Sequence, residues 1–445
     1  MLLACLLLSA FWGYRIRPVA LGKMGMIDFG AIYYGAQCGI QHKDSYNPNA
    51  IDREIAEDGG TFPASFFGAK IAPTSIANCI NLPTALFLAI PLALLPWGAA
   101  QALWTGLIAG LLFWAAFLMW DLAANTAPSI SICLLAIMLA NCEEIFTSGN
   151  LAAVAVSLCV VAAWCFLRAR FAFAGVLLLG ISLVLKPHDG GFIWLFFLLA
   201  GGTLRKRALQ ALAVAGVLGI LAAVWIAPSS PHWIQELRTN MAVGSVHSGL
   251  NDPGPSGVFN GSIVQMINMQ AALSVLRDHP NFYNSVSYFA CGFLILIWAA
   301  LVLRKPSSRE GAWLALAAIA VLSLLPVYHR PYDAKLLMLT IPACAMLWSQ
   351  GGTRRWLALA FTAAGILATS DIPLAILVSY SRPLSNFPPT LAGRVIAMVQ
   401  LRPVPLILLA LGCFYLFVYA RFKLPAHGLS QCTGTTSKTT KASAI

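Results

Sequence analysis

Apolar runs of near membrane-spanning length recur along almost the whole chain, and few folds can accommodate that. They cover about residues 83–96, 100–120, 129–146, 151–167, 171–186, 190–201, 208–227, 286–303, 312–328, 334–349, 356–372 and 404–420. In lipid every backbone N–H and C=O must be satisfied within its own segment, so these runs read as helices. Charged residues make up only 10% of the chain, against about 25% in soluble domains. The expected fold class is an all-α polytopic membrane protein, a bundle of about 12 transmembrane helices. A further apolar stretch over residues 1–14 is short for a span and lacks the basic start of a signal peptide; it reads as a truncated first helix.

The formal net charge of +12 does not point to nucleic acid. Much of it sits in short clusters between apolar runs: Arg168 with Arg170, Arg205-Lys206-Arg207, Arg304-Lys305, Arg354-Arg355 and Arg421 with Lys423. That is the positive-inside pattern. Placing these clusters in the cytoplasm puts Gly149-Asn150, Lys186, the long passage at about 228–285 and the turn Tyr328 to Lys335 on the outer side. Asp28, in a first outer loop at about 15–80, is expected there too. Three apolar segments separate it from Gly149, so a shared side requires that one of them is not a simple span. Residues 1–424 read as one membrane domain, with short interfacial helices in the first loop. Residues 425–445, rich in Ser, Thr and Lys, read as a disordered cytoplasmic tail.

In so apolar a chain the polar groups can be weighed singly. Asp28 is flanked by Met26, Ile27, Phe29, Ile32, Tyr33 and Tyr34, in a pattern that fits a short interfacial helix. It is either a helix N-cap or a general base, since the helix dipole favours its charge and burial opposes it. The acids of IDREIAED (51–58) read as a solvated face. Lys186, ahead of His188-Asp189, either snorkels to the interface or meets an anion. The turn Tyr328-His329-Arg330-Pro331-Tyr332-Asp333 concentrates a guanidinium, an imidazole and a carboxylate, suited to phosphate binding or to an Arg330–Asp333 pair. Glu143 and Glu144 read as ligands of a sugar hydroxyl or cation, or as an interfacial helix end. Cys38 and Cys79 both lie near the polar passage and could form a disulfide in an oxidising compartment. There is no D-x-D, P-loop, G-x-G-x-x-G or G-x-S-x-G motif, and no metal-ligand spacing. No cofactor and no metal are expected. A transferase built this way would take a donor already activated and lipid-borne.

A resemblance follows from the order of these motifs. Asp28-Phe29 with Tyr33-Tyr34, then Asp44-Ser45-Tyr46, resembles the first outer loop of the GT-C glycosyltransferases, and of glycosyltransferase family 87 in particular. Asn81-Leu82-Pro83 through Trp104, Gly149-Asn150, Ala174-Gly175, Lys186-Pro187 and the turn Tyr328 to Asp333 fall in that family's order. The chain departs from it where Gly149 is not followed by Gln and where Asn81 replaces an aromatic residue. The resemblance implies an inverting hexosyltransferase, mannose being the expected sugar, with a polyprenyl-phosphate-sugar donor and a lipid or glycan acceptor. It implies action at the extracytoplasmic face of a bacterial plasma membrane. It casts Asp28 as the base and His329, Arg330 and Lys186 as ligands of the donor phosphate. Tyr33, Tyr34, Asp44, Tyr46, Asn150 and Asp333 become expected substrate contacts. A flippase or transporter of a lipid-linked sugar is the competing class; it would carry paired charges deep within helices. A ligase- or polymerase-like enzyme would place its key residues in a long late loop.

Overall fold

The computed structural model describes residues 26–58, 65–66, 69–70, 78–260, 262, 264–305, 308–380 and 384–422. The expected first helix, Arg15 and Arg17 and the C-terminal tail lie outside these residues. Nearly every apolar run is a helix. In order these are α1 Ile27–Ile40, α2 Pro48–Glu57, α3 Pro83–Ala93, α4 Trp97–Ala123, α5 Pro128–Ala140, α6 Glu143–Ser148, α7 Ala152–Leu167, α8 Ala172–Leu185, α9 Pro187–Leu199 and α10 Gly202–Ile226. They continue with α11 Trp233–Gly244, α12 Met269–Leu276, α13 Pro280–Arg304, α14 Arg309–Leu322, α15 Ile341–Gln350, α16 Gly352–Ala368, α17 Asp371–Ser379, α18 Leu391–Leu401 and α19 Pro403–Arg421. A 3-10 helix, Asp333–Thr340, leads into α15. Among the described residues the only strands are the antiparallel pair Ser65–Phe66 and Ala69–Lys70.

Among the described residues five helical stretches are long and apolar enough to cross a bilayer: α4, α5 with α6 (Pro128–Ser148), α10, α13 and α19. A sixth is counted if α16 and α17, bent by 73° at their junction, form one span. Other apolar runs fold as shorter helices. The run at 334–349 is half 3-10 helix, and α3 has 11 residues. At about 1.5 Å per residue, α3 covers little more than half the hydrocarbon thickness.

Burial explains the mixture. From Ala152 to Phe166 α7 has no exposed face, and α14 is buried from Gly311 to Leu322. These helices form the centre of the bundle, which lipid does not reach. Around them, α10 and α13 turn Val217, Ile220, Phe289 and Leu296 outward, the expected surface of a lipid-facing helix. Helices approach closely where side chains are small. A Cβ on Gly180 of α8 would lie 2.7 Å from Val214 of α10, so contact dispersion rather than water exclusion holds this pair.

The first loop departs from expectation. Helix α1 is not interfacial: Phe29 to Ala36 are all buried, as are Cys38 and Gly39. The acidic segment is only partly a solvated face, because Glu54 of α2 is buried and accepts hydrogen bonds from Gln41 and Lys43. Cys38 and Cys79 are buried free thiols.

Candidate functional site

The start of α1 is locked against the junction of α6 and α7. Met26 N donates to Thr147 O at 2.7 Å, and Met26 takes a left-handed backbone. Phe29 stacks on Trp104 with ring centroids 4.9 Å apart, and Trp104 Nε1 donates to Gly149 O at 2.9 Å. Gly149 has φ +65, and a Cβ there would lie 2.8 Å from Phe29 Cβ and 2.9 Å from Met26 Cβ. Only glycine satisfies both the backbone and the approach. Gly149→Ala is expected to cost about 2–5 kcal/mol from left-handed strain plus overpacking. Thermal unfolding in detergent would show it; an unchanged midpoint would remove Gly149 as the wedge that sets this junction.

Asn150 then fixes Asp28. Its Oδ1 accepts from Ala152 N at 2.8 Å at the head of α7, which turns its Nδ2 to donate to Asp28 Oδ2 at 2.7 Å. Asp28 therefore lies at the depth of Asn150. This bears on the odd count of segments between them: α3 is too short to span alone, which leaves two spans, α4 and α5 with α6. Burial is the largest influence on Asp28 and raises its carboxyl above the ordinary value. The Asn150 amide, Arg330 and Lys186 offset this in part.

Asp28 opens onto a cavity of about 550 Å³, a volume suited to a small-molecule substrate. Its walls are mostly apolar, among them Ile27, Ile32, Leu82, Leu185, Leu237 and Val264. The polar groups on them include Asp28, Glu144, Asn150, Lys186, His188, Asn240, Tyr328, Arg330 and Tyr332. Segments from the first loop, the α6–α7 and α8–α9 junctions, the 228–285 passage and the Tyr328 turn thus share one end of the bundle. Asn240 is a wall residue that sequence reasoning missed, and Glu144 is one it left open. Glu144 is buried, and neither carboxylate oxygen has a hydrogen-bond partner.

The cations are not equivalent. Lys186 sits between α8 and α9, with Nζ donating to Asp333 Oδ1, 3.6 Å from Asp189 Oδ2 and 4.8 Å over the Tyr332 ring. Arg330 is largely committed. Its Nε donates to Tyr328 OH at 2.5 Å, its NH2 to Leu250 O at 2.8 Å and its NH1 to Val264 O. It clamps the 228–285 passage over the cavity, so that passage is a wall and not the free loop that its Gly and Pro content suggests. His329 is fully buried and is not on the cavity wall; it lies beside Asp189. Asp333 is also behind the wall, accepting from Lys186 and from Arg330 N at 2.8 Å.

Burial opposes the charge of Asp189, yet Lys186 holds its carboxyl below the ordinary value. Burial and then the Asp189 carboxylate push Asp333 up to about 6. Burial and then Lys186 push His188 down to about 3, so His188 is neutral at physiological pH.

The remaining predicted contacts lie outside the cavity. Tyr33 OH donates to Leu95 O at 2.6 Å, Tyr34 OH to Asp58 at 3.2 Å and Tyr46 OH to Asn81 O at 2.9 Å. Asp44 accepts from Ser230 Oγ at 2.7 Å and from Tyr46 N at 2.9 Å. All four tie the first loop to its neighbours. The resemblance implies that they are substrate contacts, and sequence does not show the protein partners that stand opposite them.

A family model described as glycosyltransferase family 87 matches residues 80–327, more than half of the chain. The matched stretch contains Asn150 and Lys186; Asp28 precedes it and Arg330 follows it. No curated protein and no solved structure matches.

Proposed function

The chain belongs to glycosyltransferase family 87, and from that premise we propose that it transfers a hexose, mannose in the first instance, from a polyprenyl-phosphate-sugar to a lipid or glycan acceptor. The observation that carries this reading is one cavity, mostly apolar, with the carboxylate of Asp28 and the ammonium of Lys186 on its walls. An acceptor hydroxyl beside Asp28 loses its proton to that carboxylate as its oxygen bonds to the sugar C1. The bond from C1 to the phosphate oxygen breaks, and the electron pair leaves with the polyprenyl phosphate. A single displacement inverts the anomeric centre.

Negative charge grows on the leaving phosphate, so fixed cations there stabilise the transition state more than the ground state. Lys186 supplies the nearest mobile donor, and Arg330 contributes its field from behind the clamp. Glu144, with both oxygens unpaired, is suited to receive sugar hydroxyls. The apolar walls suit the first isoprene units. We place the reaction at the extracytoplasmic face of a bacterial plasma membrane, on the positive-inside pattern of the basic clusters.

The test uses purified protein in lipid nanodiscs with labelled polyprenyl-phosphate-mannose, and separately with a labelled nucleotide sugar. Transfer to an extracted lipid or glycan acceptor is expected from the lipid donor alone. Transfer from the nucleotide sugar alone would overturn the donor. Movement of the lipid across vesicles with no transfer would overturn the enzyme reading.

A further inference from the structure

Behind the cavity wall, two segments distant in sequence turn ligand-type atoms toward one another. His188, Asp189, His329 and Asp333 each offer one such atom, all within 4.8 Å of one another. Asp189 and His329 are fully buried. Neither oxygen of Asp189 nor Nε2 of His188 or His329 has a hydrogen-bond partner. Buried polar atoms are rarely left unpaired, and each one costs free energy. Three of them, Asp189 Oδ1 and the two imidazole Nε2 atoms, face one another, and that requires a cause.

The tautomer of His329 narrows it. Its Nδ1 lies 3.1 Å from Val327 O. A carbonyl only accepts, so Nδ1 carries the proton. In the neutral ring Nε2 then presents a lone pair, 3.4 Å from Asp189 Oδ1. His188 Nε2 stands 3.9 Å from the same oxygen. Lone pairs aimed at a carboxylate repel unless a cation lies between them. These separations exceed hydrogen-bond length. The shorter matches the edge, about 3.4 Å, of a tetrahedron whose metal–ligand bonds are about 2.1 Å, and the longer exceeds it by about 0.5 Å. An imidazole that donates its other N–H to a backbone carbonyl is also oriented as metal-ligating histidines are.

Charge and access agree with this. Asp189 and Asp333 bring two carboxylates against one ammonium, that of Lys186, which reaches Asp333 Oδ1 and the far oxygen of Asp189. Asp189 Oδ1 is left to face the two imidazoles. His188 lines the cavity and its side chain is 34% exposed, which gives an ion a way in.

We propose that His188, Asp189 and His329, with Asp333 as fourth ligand once Lys186 turns toward the cavity, bind a divalent cation of the zinc class. Two imidazoles and carboxylate oxygens suit Zn²⁺, whereas Mg²⁺ and Ca²⁺ take oxygen sets. The site adjoins the cavity of the sugar-transfer reading through Lys186 and His188, but metal binding tests it without an assay of transfer.

Chelator-stripped protein in detergent is titrated with ZnCl2, with bound metal measured by mass spectrometry after desalting. The wild type is expected to retain a stoichiometric amount of Zn²⁺ and to gain thermal stability with it, while MgCl2 has no effect. Co²⁺ is expected to give visible absorption of tetrahedral intensity. His188→Ala, at a partly exposed ring, and His329→Ala are each expected to weaken binding at least about tenfold. Failure of the wild type to retain Zn²⁺ would overturn the proposal. Equal binding by His188→Ala would overturn the ligand assignment even if His329→Ala did not fold.

Discussion

Asp28→Asn is expected to lower kcat for sugar transfer by about 10²–10⁴-fold, the usual contribution of a positioned general base, with little change in KM. The substitution keeps shape and one acceptor oxygen, so Asn150 Nδ2 retains its partner. Stability should not fall. The folded-state carboxyl of Asp28 is raised by burial. Its favourable contribution to stability is therefore full below the unfolded carboxyl value and lost as pH rises through the folded one. At neutral pH the wild type bears that loss and the amide does not, so the variant should unfold at the same temperature or higher.

The same shift fixes a pH dependence. Only the ionised carboxylate accepts a proton, so transfer by the wild type should rise as pH passes the raised value of Asp28, and that limb should vanish in Asp28→Asn. Asn150→Ala removes a donor that favours the ionised form and should move the limb to higher pH. It should also cost about 1 kcal/mol, because Ala152 N at the head of α7 loses the Asn150 Oδ1 that accepts from it. An Asp28→Asn protein that folds and transfers at the wild-type rate would remove Asp28 as the base.

How far the sequence reaches is clear from individual residues. Periodicity and hydropathy locate the helices because burial in lipid or in the bundle needs only apolar side chains. The same property hides which runs cross the membrane: α7 and α14 are as apolar as any span, yet protein surrounds them. Helix α1 reads as interfacial because Tyr33, Tyr34 and Gln37 are amphipathic, and only the fold shows that Trp97 stacks on Tyr34. At the site, Asp28, Asn150, Lys186 and Arg330 could be chosen because charge is scarce in such a chain. The division of labour between Arg330 and His329 could not. It depends on Leu250 and Val264 standing opposite the guanidinium, and carbonyl positions carry no sequence signal. Asp189 was passed over for the same reason, as its significance comes from His329, brought next to it only by the packing of two distant segments.

Lys186→Met is expected to have the second large effect, and it requires a control. Asp189 and Asp333 are fully buried, and Lys186 is the ammonium that meets both. Removing one partner of a buried ion pair leaves uncompensated charge and costs about 3–5 kcal/mol. Loss of transfer in this variant therefore does not separate a missing phosphate contact from a damaged fold. The double variant Lys186→Met with Asp333→Asn does. Asparagine at 333 keeps an oxygen for Arg330 N but removes one orphaned charge, so the double variant should be more stable than Lys186→Met alone, by an interaction term of about 0.5–3 kcal/mol. If Lys186 meets the donor phosphate, transfer stays low in the refolded double variant, and the deficit appears in kcat because the phosphate gains charge only as C1–O cleavage proceeds. If transfer returns together with stability, Lys186 serves the Asp189–Asp333 pair alone, and the charge on the leaving phosphate must be met by Arg330.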